Sequence, residues 1–151
     1  MDKNSYLIQL SESDIVAFGK VEFLEQADEQ KIFSAIWSLE SQVNNGGFSL
    51  YFSSWDGETA NFTPTALRRI GAKACASIVE RALATVSSEP LPQSFEERSA
   101  LVGSLNPEVI ERLEDLDSEF FAYPDNLTNL LFEFVRSNPN AFGPVPSLSE
   151  G

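Results

Sequence analysis

At 151 residues the chain has the length of one domain, and a 42% hydrophobic content that includes twelve Phe supplies a single core. Its 23 acidic residues against 10 basic ones, with no His, give a formal net charge of −13 and a pI near 4.2, which argues against nucleic acid or an anionic membrane as direct partners and favours a basic protein. The single cysteine, Cys75, excludes an intrachain disulfide, the stretch Met1 to Ser5 lacks the basic start and apolar run of a secretion signal, and no run approaches the roughly 20 apolar residues of a membrane span, so the expectation is a cytoplasmic protein.

In chain order, Ser11, Glu12, Ser13 and Asp14 form a capping-box-like start, with Asp in the Glu/Gln position, and predict a first helix to about Leu24. Ile32, Ile36, Leu39 and Val43 recur at helical spacing, with Phe33 and Trp37 beside them, and predict an amphipathic helix from about Asp28 to Asn44. Asn45-Gly46-Gly47 stops it, because Asn and Gly accept the left-handed conformation that a helix C-cap needs. Phe48 to Phe52 reads as a short buried helical turn and Asp56-Gly57 as a loop.

Thr63-Pro64 places an N-cap before a first-turn proline, and Leu67, Ile70, Ala74, Ile78 and Ala82 predict the buried face of one long helix to about Val86. Gly71, Cys75 and Ala76 are small enough to admit a second helix at close range. After Pro90 and Pro92, Ser94 caps a shorter helix through Leu101; Asn106-Pro107 opens another to about Phe121; Pro124-Asp125 opens the last, carried by Leu127, Leu130, Leu131, Phe134 and Val135 and ended at Asn138-Pro139. No segment shows strand alternation with hairpin turns. The fold class is therefore all-α: a single compact domain of about six or seven helices over residues 1–139, followed by a flexible C-terminal tail over 140–151 that holds Pro144 and Pro146.

Most catalytic chemistries lack their residues. Zinc sites prefer His and Cys, of which there are none and one; His-based nucleophile systems are absent; and Gly46-Gly47 lacks the Lys and spacing of a phosphate loop. Asp115, Asp117 and Glu119 do not form a calcium loop, because Phe120 stands where the loop needs Gly. No catalytic, cofactor-binding or metal-binding residue is assigned, and no cofactor is expected. Trp37 and Phe48 read as core, Gly46-Gly47 as a helix stop, Cys75 as packed, and Trp55 as either a core cap or a partner anchor.

The helix from Pro107 carries Glu108, Glu111, Glu114, Asp115, Asp117 and Glu119, relieved only by Arg112, opposite an apolar face of Val109, Ile110, Leu113, Leu116 and Phe120. Glu108, Glu111, Asp115 and Glu119 step by three or four residues and so share one side. Carboxylates one turn apart lie roughly 5–6 Å from each other along the axis. Like charges at i,i+4, here Glu111/Asp115 and Asp115/Glu119, cost a helix roughly 0.2–0.5 kcal/mol per pair. A charge run is often just a solvated face; this one is expected to be a partner-binding face. A second acidic group, Glu22, Glu25, Asp28 and Glu29, precedes the Trp37 helix, and for it a capping role is the stronger reading.

The stretch Glu40-Ser41-Gln42-Val43-Asn44-Asn45-Gly46-Gly47-Phe48, with Tyr51-Phe52, the stretch Ala66 to Ala72, and Pro124-Asp125-Asn126-Leu127 through Pro139 together resemble a bacterial family, the DNA mimic protein 19-like domain. The resemblance runs from the Trp37 helix to Pro139; Leu50 and Ser53 depart from the Gln and Asn that the family pattern leads one to expect. It implies an all-helical domain that mimics duplex DNA by displaying carboxylates to a DNA-binding protein. These motifs are architectural, so the resemblance assigns no acid to that role.

Together these readings lead to a non-enzymatic, acidic protein-binding domain that occupies the DNA-binding surface of a basic partner, a transcriptional regulator or nucleoid-type protein, with no direct contact to nucleic acid or membrane. A homodimer fits, since a second copy would lengthen the acidic surface by symmetry. The alternatives are an immunity or inhibitor protein against a basic toxin such as a nuclease, a carboxylate-dependent enzyme, which requires a concave pocket with convergent carboxylates, and a scaffold whose acids are spread evenly.

Overall fold

The computed structural model describes residues 1–13 and 22–145. Among them the chain is all helical: α1 (Lys3–Ser11), a 3₁₀ turn (Phe23–Glu25), α2 (Asp28–Ser53), a second 3₁₀ turn (Trp55–Thr59), α3 (Thr63–Arg69), α4 (Lys73–Val86), α5 (Phe95–Gly103), α6 (Pro107–Phe121), α7 (Leu127–Arg136) and α8 (Pro139–Phe142). No described helix is long and apolar enough to cross a membrane.

α2 is the axis of the domain. α3, α5, α6 and α8 all pack on it, α4 bridges α3 and α6, and α7 joins α1 to α8. The predicted stripe Ile32, Ile36, Leu39 and Val43 is buried as the periodicity requires, together with Phe33, Ala35 and Phe48. Trp37 is only partly buried and stacks on Phe33, with centroids 5.5 Å apart and planes within 11°. Gln30 Oε1 accepts the Ala27 N–H at 3.3 Å, which satisfies one orphan donor at the start of α2.

Gly46 and Gly47 do interrupt the helix, but as a kink and not as an end. Gly47 has φ +75°, open to glycine and costly for other residues, and helical geometry resumes through Ser53. Beyond α2 the chain is held by Arg98. This side chain is 1% exposed, and its fork donates to the carbonyls of Phe52 (3.1 Å), Ser54 (2.9 Å), Pro92 (3.1 Å) and Gln93 (2.7 Å). The C-terminal carbonyls of α2, otherwise without helical partners, thus receive a charged donor from α5. Gly57 is required beside it: a Cβ there would lie 2.8 Å from Arg98 Nε and 2.7 Å from the Phe52 carbonyl oxygen.

Several expected boundaries move. The predicted helix after Ser13 lies largely outside the described residues; Leu24 is in the 3₁₀ turn and exposed. A helix not anticipated, α1, precedes it, capped by Asp2, whose Oδ1 accepts the Ser5 N–H at 2.8 Å. Ser11 and Ser13 close that helix instead of opening one, donating to the Ile8 and Leu10 carbonyls.

The single helix expected from Thr63 to Val86 is two. Gly71 has φ +87° and nothing within 4 Å of its would-be Cβ, so it serves the turn between α3 and α4 and not a close helix contact. Ala74, expected in the core, is exposed. Thr63 is inside α3 and not its cap; its hydroxyl donates to the Thr59 carbonyl at 3.0 Å and pairs with the Tyr51 hydroxyl at 2.7 Å.

The C-terminal half follows the sequence more closely. Ser94 caps α5 and Asn106 caps α6, accepting the Glu97 and Val109 N–H groups at 3.3 and 3.0 Å. α7 begins at Leu127 with Asn126 as its cap, two residues later than Pro124-Asp125 suggests. The ordered packing continues past residue 139: Pro139 starts α8, and Phe142 is buried against Phe33 and Phe134.

Candidate functional site

α6 lays Leu113, Leu116 and Phe120 into the core against α2 and α4. Ile110, expected on that face, is 38% exposed, because the core contact begins one turn later. On the other side Glu108, Glu111, Glu114, Asp115 and Glu119 are all exposed. Among the described residues, Glu108, Glu111, Glu114 and Asp115 have no ion-pair partner. Their mutual repulsion is therefore not relieved by a neighbouring cation held in place, although Arg112 stands exposed at the margin of the row.

Glu119 and Asp117 have partners within the chain, the first at the surface and the second facing inward. Glu119 receives both branches of the Arg81 guanidinium from α4, at 2.9 and 3.0 Å, and that hydrogen-bonded pair holds its carboxyl below the usual carboxylate range. Asp117 turns inward. Its Oδ1 accepts the Phe48 N–H at 2.8 Å, capping the helical segment that resumes after the Gly46–Gly47 kink. Burial raises the Asp117 carboxyl despite the opposing effect of that hydrogen bond. Asp117 therefore departs from the outer face on which the charge pattern places it.

The second acidic group sits elsewhere. Glu22 precedes the first 3₁₀ turn, Glu25 lies within it, and Asp28 and Glu29 occupy the first turn of α2, where the helix dipole favours them. That turn packs on α2, whereas α6 packs on α2 and α4. Glu58 lies within the influence of Glu22: its carboxyl is raised by burial first and then by Glu22, against the opposing effect of Arg98. Beyond these, Trp55 is 71% exposed and lies flat on Phe95, with centroids 4.1 Å apart and planes within 10°.

A concave feature lies between α1, α2 and the α6–α7 connection. Two hollows of about 230 and 250 Å³ adjoin there and share Glu40 and Thr128. Glu40 has Trp37 one turn before it and Asn44 one turn after, on the same side of α2. Tyr123 and Asp125 face it from the connection. Tyr123, with φ 50°, sends its hydroxyl to Asn44 Oδ1 at 3.1 Å. Asp125 Oδ2 accepts the Cys75 N–H at 2.8 Å and so caps α4 from outside that helix. Burial pushes the Glu40 carboxyl up to about 7, and burial together with Asp125 pushes the Cys75 thiol up to about 12.

None of Glu40, Tyr123 or Asp125 was singled out as a site residue from the sequence. The available signal was Glu40 itself, a carboxylate on the flank of the buried stripe, four residues after Ile36 and next to Leu39. Among the described residues, no group of three or more His, Cys, Asp or Glu is arranged to hold a metal ion.

A family model described as DMP19-like protein matches residues 25–138, from the first 3₁₀ turn to the residue before α8. No curated protein and no solved structure matches the chain.

Proposed function

Because the chain belongs to the DMP19-like protein family, we propose that it is a decoy for duplex DNA, occupying the DNA-binding surface of a basic transcriptional regulator or nucleoid-type protein. The observation that carries this reading is the row Glu108, Glu111 and Asp115 with Glu114 beside it, exposed and without ion-pair partners among the described residues. The row repeats at roughly 5–6 Å along the helix, against roughly 3.4 Å per phosphate along one DNA strand. The match is to a line of negative charge and not to each phosphate in register. Glu22, Glu25, Asp28 and Glu29 would serve as a second, separate contact, and a second copy of the chain would extend the acidic surface further.

Attraction of this kind speeds encounter and weakens with salt. The test is capture of basic proteins at low salt with duplex DNA as competitor, repeated with a Glu111→Gln/Asp115→Asn variant. Displacement of the captured protein by DNA, and a several-fold loss of affinity in the variant, support the decoy. Capture that DNA does not displace, or an unchanged affinity in the variant, overturns it. A captured nuclease whose activity is blocked would instead identify an inhibitor of a basic toxin.

A further inference from the structure

We propose that the groove around Glu40 takes an arginine side chain of a basic protein partner. The source of that side chain rests on the decoy reading above; the chemistry of the groove does not.

The groove is small. It is made of two hollows of about 230 and 250 Å³, each below the roughly 300–1,000 Å³ of a site for a drug-sized ligand, which meet at Glu40. Its walls are acidic and aromatic: Glu40 and Asp125 supply carboxylates, and Trp37 and Tyr123 supply rings. No lining residue is basic. Lys3, the cation of α1, is turned away, towards Asn129 Oδ1 at 3.4 Å and over the Phe132 ring.

Glu40 has no hydrogen-bond or ion-pair partner among the described residues, although it is half-buried where the two hollows meet. A carboxylate in that position is costly unless it is paired. Asp125 is already committed through Oδ2 to the Cys75 N–H, which leaves Oδ1. The Cys75 thiol of α4, which feels the Glu40 charge, is neutral, and Asp125 and Tyr123 line the hollow from the α6–α7 connection. The groove therefore lacks one thing, a cation with several donors.

Arginine fits better than lysine. Its planar guanidinium stacks on aromatic faces and offers five donors in a fixed fork, where an ammonium offers three from a point. The acceptors within reach are correspondingly spread, across Glu40, Asp125 and the side chains of Asn44 and Thr128. At pH 7, where Glu40 is about half protonated, binding of a cation would release the proton from that fraction.

The experiment titrates the full chain with N-acetyl-arginine methylamide at pH 7.5 and follows the two indole N–H signals by NMR, with N-acetyl-lysine methylamide as the second arm. A saturable shift at Trp37 and not at Trp55, weaker with the lysine probe and at least tenfold weaker in a folded Glu40→Gln variant, supports the proposal. No saturable shift at Trp37, equal shifts at both indoles as diffuse attraction would give, equal response to the lysine probe, or an unchanged response in Glu40→Gln overturns it. Loss of capture in the α6 variant without arginine binding at Trp37 removes the groove and leaves the decoy. Arginine binding at Trp37 with capture that DNA does not displace removes the decoy and leaves the groove.

Discussion

Asp117 of α6 accepts the Phe48 N–H of α2 at 2.8 Å, and the missing side chain of Gly47 makes room for it: a Cβ at Gly47 would stand 2.3 Å from Asp117 Oδ2. One carboxylate thus converts a break in α2 into a fixed bend and ties the acidic helix to the axis of the domain. The position of the outer acids is set by an inner one.

Asp117→Ala should leave the Phe48 N–H without its acceptor and cost about 1–3 kcal/mol of stability, whereas Asp117→Asn keeps an acceptor and should cost less. Gly47→Ala should be destabilising for two reasons, the positive φ and the clash with Asp117. The double variant Gly47→Ala/Asp117→Ala should then lose less than the sum of the two singles, since only one of those penalties survives. Urea denaturation of the four proteins measures this, and strict additivity would separate the two residues.

Arg98 should tolerate no replacement. Arg98→Lys cannot span the Phe52, Ser54, Pro92 and Gln93 carbonyls at once. Lost charge-assisted hydrogen bonds and buried carbonyls left unpaired should cost about 3 kcal/mol or more, visible as a large fall in Tm. A Tm within a degree or two of the parent would show that the fork is not what closes the end of α2.

Glu40 should make stability fall as pH rises. Its carboxyl is raised from 4.5 to about 7 in the fold, so the folded state holds a proton that the unfolded chain has already released. That contribution is complete below about 4.5 and lost as pH passes through about 7. Urea titrations at pH 5 and pH 8 should show the parent losing on the order of 2 kcal/mol relative to Glu40→Gln, which carries no such proton. Parallel behaviour of the two proteins would contradict the burial of Glu40.

Arg81→Ala should strengthen binding to a basic partner. It removes the guanidinium that neutralises the exposed Glu119 and so adds a fifth unpaired carboxylate to the row. Both partners of this pair are about half exposed, so the loss of stability should stay within about 1 kcal/mol. Affinity measured at low and moderate salt checks this, and weaker binding would place Arg81 itself at the interface.

Features carried by neighbouring residues were legible before any coordinates: the amphipathic stripe of α2, the Ser94 and Asn106 caps, the full span of α6 and the interruption at Gly46–Gly47. Each depends on a periodicity or cap within a few positions, which the chain states locally. Gly71 is ambiguous in the sequence because a small residue serves a tight packing contact and a positive φ equally well, and only the backbone tells them apart. What tertiary structure alone decided is the surroundings of each acid. Asp117 finds the Phe48 N–H, Glu119 finds Arg81, and Glu40 comes to line the hollows between α1, α2 and the α6–α7 connection. These partners lie far off in sequence and act through hydrogen bonds and desolvation that exist only once the helices have packed.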